Sequence, residues 1–80
     1  MGHARNRPKR LAEKLLQIRK VLGLSQREMA ERAGVKITSK NISKYECDKS
    51  VPFIEVVLAY SRLANVLMNE IVDDDLELNL

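Results

Sequence analysis

The sequence predicts an all-α domain, a compact packing of five short helices. Three observations lead there. Apolar residues recur at helical rather than alternating spacing through most of the chain. Two segments carry recognisable start signals just ahead of them, and glycines stand where helices would stop. The connections between segments are short. A chain of 80 residues buries only about 60–65% of its unfolded surface, which supports a single core and a single domain.

Each element can be justified in order. Residues 1–7 lack apolar periodicity and read as a basic flexible arm. From Pro8 the pattern turns helical: Leu11, Leu15, Ile18 and Leu22 fall at i, i+4, i+7 and i+11, along one face. Gly23 supplies the stop, since glycine adopts the left-handed backbone that ends helices. The second helix, at about residues 26–33, lies within LGLSQREMAERAG. Ser25 and Glu28 have capping-box spacing, and Leu24 and Met29 occupy the positions of a hydrophobic staple. Gly34 ends it. Only about two turns long, this helix is too short to stand alone and must be packed.

Thr38 reads as the next cap, with Ile37 and Ile42 again in staple positions. The third helix then runs over about 39–46 with Ile42 and Tyr45 facing inward, and Asp48 turns the chain. Pro52 starts a longer helix whose apolar stripe is Ile54, Val57, Leu58 and Ser61, with Asn65 as its stop. A short fifth helix covers about residues 67–72. In the acidic tail DDDLELNL, residues 73–80, the alternation of Leu76, Leu78 and Leu80 favours an extended strand.

Composition excludes several classes. With 45% hydrophobic and 31% charged residues the chain is globular rather than disordered. No apolar run reaches the roughly 18 residues of a membrane span, and the opening MGHARNRPKR lacks the apolar stretch of a secretory signal. The single cysteine, Cys47, excludes an internal disulfide and suits a reducing cytosol, so a cytoplasmic protein is expected. As a nucleophile Cys47 would need a base, and the only histidine is His3 in the arm, so its expected role is structural or incidental. Asp73, Asp74, Asp75 and Glu77 lack the glycine that lets a cation-binding loop turn. No metal, cofactor or small-molecule ligand is expected, and no enzymatic activity, because no nucleophile–base pair or glycine-rich phosphate loop is present.

Charge is more informative. Residues 1–49 hold 13 Lys and Arg against five Asp and Glu, whereas residues 50–80 hold Arg62 against six acids. The net charge of +3 therefore hides a strongly dipolar chain. A basic half suggests a polyanionic partner, and an acidic half a face turned away from it.

Two helices joined through a glycine-bearing turn in that basic half suggest a DNA-binding helix-turn-helix. On the segments LLQIRKVLGLSQREMAERAGV, ISKYECDKSVP and VVLAYSRLANVLMNEIV, residues 15–72 resemble phage-repressor-type (Xre-like, lambda-repressor-like) helix-turn-helix domains of small bacterial regulators. The resemblance implies a repressor-like DNA-binding domain over residues 8–72. It places Gln26 by the DNA backbone and the first base, and the exposed face of the third helix in the major groove. The implied base contacts are Gln26, Ser39, Lys40, Asn41 and Lys44. Their chemistry fits, since Asn reads adenine with two hydrogen bonds, Lys donates to guanine and Ser serves either. Phosphate contacts are expected from Arg5, Arg7, Lys9, Arg10, Arg27, Lys36 and Lys49.

The resemblance also implies a structural pair, Arg19 with Glu46, that orients the reading helix. Ala30 and Gly34, four apart, are small enough for the second and third helices to approach closely, with Ile42 plugging the angle. From Gly34 to Ile42 the chain carries two residues more than the family's usual spacing. Ile37 as a staple places them in a wider turn that leaves the angle intact.

The function these features point to is sequence-specific binding of double-stranded DNA by a transcriptional regulator, most simply a repressor. A homodimer is expected, with two modules about one DNA turn apart. Its contact is expected on Val66, Leu67, Ile71, Leu76 and Leu78, an apolar stretch without positive charge. The alternative is a protein-interaction module of the same fold, an antitoxin or adaptor, binding a protein partner through the fifth helix and tail.

Overall fold

The computed structural model describes residues 8–80. The expectations of a basic arm, of His3 within it, and of phosphate contacts at Arg5 and Arg7 lie outside the described residues. The chain folds as α1 (Leu11–Leu22), α2 (Gln26–Ala33), α3 (Ser39–Glu46), α4 (Ile54–Ala64) and α5 (Met68–Val72). Leu15, Ile18, Met29, Ile42, Tyr60 and Ile71 are fully buried and form the centre of one core. α2 packs chiefly on α3, while α1 crosses α3, α4 and α5.

The boundaries follow from local chemistry. Ser25 Oγ accepts the Glu28 N–H at 3.0 Å, and Glu28 Oε1 accepts the Ser25 N–H at 2.8 Å, so α2 begins with both halves of the capping box. Gly23 and Gly34 close α1 and α2 with φ of 71° and 73°. A Cβ at Gly34 would meet no atom within 4 Å. The backbone sign, not a close approach of α2 to α3, therefore requires glycine there, which corrects the close-packing role expected for it. Asn65 ends α4 at φ 57°, a value that Asn tolerates better than most residues.

Three elements differ from expectation. α1 begins at Leu11 rather than Pro8, because Lys9 and Arg10 form a turn. α4 begins at Ile54 and is rotated from the expected stripe. Its buried residues are Val56, Val57, Tyr60 and Ser61, while Ile54 is 74% exposed. This rotation buries Tyr60, the largest fully buried side chain, and its greater apolar area outweighs that of Ile54 at the helix end. The tail forms no strand. It turns after α5, sending Leu78 against the core while Leu76 and Leu80 stay exposed, so the three leucines do not share a face.

What replaces strand pairing is a clasp onto α1. Lys14 shares the buried face of α1 with Leu11, Leu15 and Ile18 and is itself fully buried. Its ammonium donates to the carbonyls of Glu70 (2.7 Å), Asp73 (2.7 Å) and Leu76 (2.6 Å). Three N–H groups meet three carbonyls, so the charge is fully hydrogen-bonded. Arg10 donates to Glu77 through both terminal nitrogens, at 2.8 Å each, and also to Glu13 and the Asp74 carbonyl. Asp74 in return accepts the backbone N–H groups of Lys9 and Arg10, both at 2.9 Å, just ahead of α1.

The buried donor predicts a large effect. Lys14→Met keeps the length of the side chain but strands three carbonyls, and it is expected to lower unfolding free energy by about 2–4 kcal/mol in urea titration. A loss under about 0.5 kcal/mol would mean the tail is not held this way. The clasp also predicts a pH dependence. The Arg10 guanidinium holds Glu77 below its ordinary value, and the Arg10 and Lys9 amides do the same for Asp74. The native state thus binds fewer protons here than the unfolded chain, so stability rises with pH in this range. The contribution is full above the ordinary carboxylate pKa of about 4 and is lost as pH falls through the lowered native values. Thermal unfolding between pH 7 and pH 3 is expected to show Tm falling in acid, with a shallower fall in Asp74→Asn and Glu77→Gln.

Candidate nucleic-acid interface

α3 is an eight-residue helix whose sides are sharply distinguished. Ile42 and Tyr45 are buried, while Lys40, Ser43, Lys44 and Cys47 recur at i, i+3, i+4 and i+7 on the side away from them. Lys40, Lys44 and Cys47 are exposed and Ser43 is half-buried. Ser43 is missing from the residues expected to touch bases, although its spacing from Lys40 is a signal that would have found it. Ser39, at the first position, sits at the edge of this stripe and is exposed. The turn ahead of α3 holds Val35 to Ile37, closed by the Ile37 N–H on the Val35 carbonyl at 2.9 Å. Ile37 packs against the core, so the longer connection is anchored at its far end.

Asn41 stands in a different position from its neighbours. Half-buried, it uses Oδ1 to accept the Thr38 N–H at 2.8 Å and the Thr38 hydroxyl at 3.2 Å. The two-bond reading of adenine needs that same oxygen as an acceptor, and here it is occupied. Asn41 thus serves the start of α3, and the adenine reading expected of it would draw on an oxygen that already accepts two bonds.

The helix is aimed by one carboxylate. Glu46, at the end of α3, has a side chain only 5% exposed. It accepts from Arg19 Nε at 2.7 Å and Nη2 at 3.0 Å, and from Gln26 Nε2 at 3.0 Å. Arg19 also donates to the Leu24 carbonyl at 2.9 Å, which ties the connection between α1 and α2 to the same point. The Glu46 hydrogen bonds hold Arg19 above its ordinary pKa despite partial desolvation. The buried Tyr60 phenol is pushed up by burial, and the Glu46 charge adds to that shift. Three helices thus converge on Glu46, and the carboxamide orientation of Gln26 is set by it.

The remaining basic residues divide. Lys36 and Lys49 are exposed on either side of α3 along the chain, and Lys9 is exposed before α1. Like Lys40 and Lys44, they enter no ion pair among the described residues. Arg27 is exposed, with a long 3.5 Å contact to Glu31. Arg10 is not available to a phosphate, because Glu77, Glu13 and Asp74 occupy its guanidinium. The expected dimer surface is also corrected. Ile71 is fully buried in the chain's own core, and Val66 and Leu78 pack against that core. Of the five residues expected there, only Leu67 at 63% and Leu76 at 40% are exposed. Among the described residues no grouping of His, Cys, Asp or Glu could hold a metal ion, and no helix is long and apolar enough to cross a membrane.

A family model described as a helix-turn-helix domain matches residues 12–74. No curated protein sequence matches the chain. Among solved structures, the chain is similar to a chain of the SinR protein/SinI protein complex, at 27% identity and a TM-score of 0.71. That match covers 81% of this chain and 62% of the other, so this chain spans less than two thirds of its neighbour. The chain is also similar to the P22 c2 repressor protein in complex with synthetic operator 9T in the presence of Tl+. That match has 25% identity and a TM-score of 0.71, covering 81% of this chain and 96% of the other.

The convergence on Glu46 has a measurable consequence. Glu46→Ala leaves the Arg19 charge without its partner and is expected to cost about 3–5 kcal/mol of stability in denaturant unfolding. Glu46→Gln, which keeps the shape and one acceptor oxygen, is expected to cost less. Equal losses for the two would count against a role for the ion pair.

Proposed function

The chain belongs to the helix-turn-helix domain family, and from that premise we propose that it is a sequence-specific regulator of transcription that binds double-stranded DNA, acts as a repressor, and reads the major groove with α3. The observation that carries this reading is the outward stripe of α3. It presents Lys40, Ser43 and Lys44 with no competing ion pair among the described residues, on a helix whose angle is held by a desolvated salt bridge. A recognition helix needs both properties, polar groups free to meet base edges and a rigid mount.

Lys36, Lys49, Arg27 and Lys9 supply the phosphate contacts, which fix register and orientation without reading sequence. The operator complex named for the P22 c2 repressor, 96% of whose chain this one covers, supports binding to duplex DNA. Two copies related by a two-fold axis would read an inverted repeat with half-sites about one DNA turn apart. Exposed Leu67, Val72, Leu76 and Leu80 around α5 and the tail supply apolar surface for that contact. Repression then follows from occupancy of a promoter. A second reading, as an antitoxin or adaptor that binds a protein partner, draws support from the protein–protein complex named for the other neighbour.

Substitutions separate the two. Lys49→Ala is expected to weaken binding to all duplexes alike and to reduce the slope of log affinity against log salt by about one. Lys40→Ala is expected to cost about 1–3 kcal/mol on the preferred duplex and to relax preference at one position. Fluorescence anisotropy on selected and scrambled duplexes measures both. If neither substitution changes affinity, the adaptor reading replaces this one.

A further inference from the structure

The side chains at the reading surface differ in which hydrogen-bonding atoms they still have free. Lys40 and Lys44 are donors only and have no ion-pair partner among the described residues. Asn41 would ordinarily offer one acceptor oxygen and two N–H donors. Its oxygen already accepts from the Thr38 amide and the Thr38 hydroxyl, which fills both lone pairs. Asn41 is left with its two N–H groups and is, like the lysines, a donor. Gln26 differs in keeping its acceptor. Its Nε2 is engaged by Glu46, while its carbonyl oxygen has no partner among the described residues.

Base edges differ in what they offer to such a surface. In the major groove guanine presents two adjacent acceptors, N7 and O6, whereas adenine and thymine present one each and cytosine presents a donor. Three side chains left as donors within about one turn of α3 therefore match guanine best. An adenine edge wastes its amino group against them, and a cytosine edge opposes donor to donor.

We propose that the base pairs facing Lys40, Asn41 and Lys44 are read as guanines, that the Thr38–Asn41 pair sets this preference by occupying the Asn41 oxygen, and that any adenine or cytosine preference lies at the Gln26 end of the site. Thr38 is thus a positioning residue for specificity that touches no base. This inference rests on the DNA-reading function proposed above.

The test is selection of random duplexes by the full chain at about 0.15 M salt, followed by single-base replacement in the selected duplex. Guanine is expected to be enriched at two or more positions per half-site. Replacing those guanines one at a time with 7-deazaguanine, which lacks the N7 acceptor, is expected to weaken binding about tenfold each, within the range of one good base contact. Replacing adenines opposite α3 with 7-deazaadenine is expected to change affinity less than about twofold, well below one such contact. Asn41→Ala identifies the position that Asn41 reads. Thr38→Val then keeps the side-chain shape, removes the hydroxyl and frees one lone pair of the Asn41 oxygen, and preference at that position is expected to move from guanine toward adenine. Circular dichroism of each variant guards against loss of fold.

Three results would overturn the proposal. Enrichment of adenine at the Asn41 position with sensitivity to 7-deazaadenine would show that its oxygen reads bases, leaving the DNA-reading function in place. An unchanged preference in folded Thr38→Val would remove the role given to Thr38. Binding with no enriched sequence, or no binding, would overturn the DNA-reading function itself and this inference with it.

Discussion

The molecule depends on a single buried carboxylate. Glu46 receives two hydrogen bonds from Arg19 on α1 and one from Gln26 on α2 while standing at the end of α3. Helices of eight residues have little stability of their own, so the angle between α2 and α3 has to be imposed from outside them. Ile42 is fully buried in the core, but apolar packing resists separation more than it resists rotation. Directional, charge-assisted bonds supply the rotational restraint. Such a pair contributes less net stability than its strength suggests, because desolvating both charges offsets much of the gain. Its value here is geometric: it fixes which side of α3 faces out.

A second polar constraint organises the other end of the fold. Lys14 collects three carbonyls from α5 and the turn after it, and Arg10 and Asp74 tie the same turn to the start of α1. This clasp changes what the charge asymmetry of the sequence means. The basic half does not present all its charge to a partner. Lys14 and Arg10 are spent on the acidic tail and Arg19 on Glu46. Of the exposed basic residues that enter no ion pair among the described residues, Lys36, Lys40, Lys44 and Lys49 lie on α3 and the loops around it, while Lys9, Lys20, Arg32 and Arg62 lie elsewhere. The free positive charge is thus smaller than composition suggests, since α5 and the tail engage Lys14 and Arg10 at the start of α1, although Lys9 beside them stays exposed.

Much of this was legible in the sequence, for a physical reason. Helix ends are decided by chemistry within a few residues, so Ser25 with Glu28, Gly34 and Thr38 mark α2 and α3 to the residue. What depends on tertiary contact was harder to read. Lys14 falls at i+3 between Leu11 and Leu15 on the buried face, and that spacing was visible. Nothing local, however, says that three carbonyls some 60 residues later will meet it. The rotation of α4 was missed because Ile54 and Tyr60 cannot both face inward, and the outcome depends on the volume the other helices leave. The strand expected from Leu76, Leu78 and Leu80 failed because alternation specifies a strand only where another strand waits to pair with it.

The same distinction governs the candidate interface. A sequence states which functional groups a residue owns, and family resemblance suggests where it stands. Neither states which of its hydrogen-bonding atoms are already used. Asn41 and Gln26 carry the same carboxamide on side chains one methylene apart, and from sequence both are expected to contact bases. In the folded chain a neighbouring hydroxyl and amide occupy the oxygen of one, while a carboxylate engages the nitrogen of the other. Their capacities now differ: Asn41 is left as a donor, while Gln26 keeps a free acceptor beside one N–H. What a side chain in so small a domain can offer a partner is therefore set as much by what the scaffold withholds from it as by the choice of side chain itself.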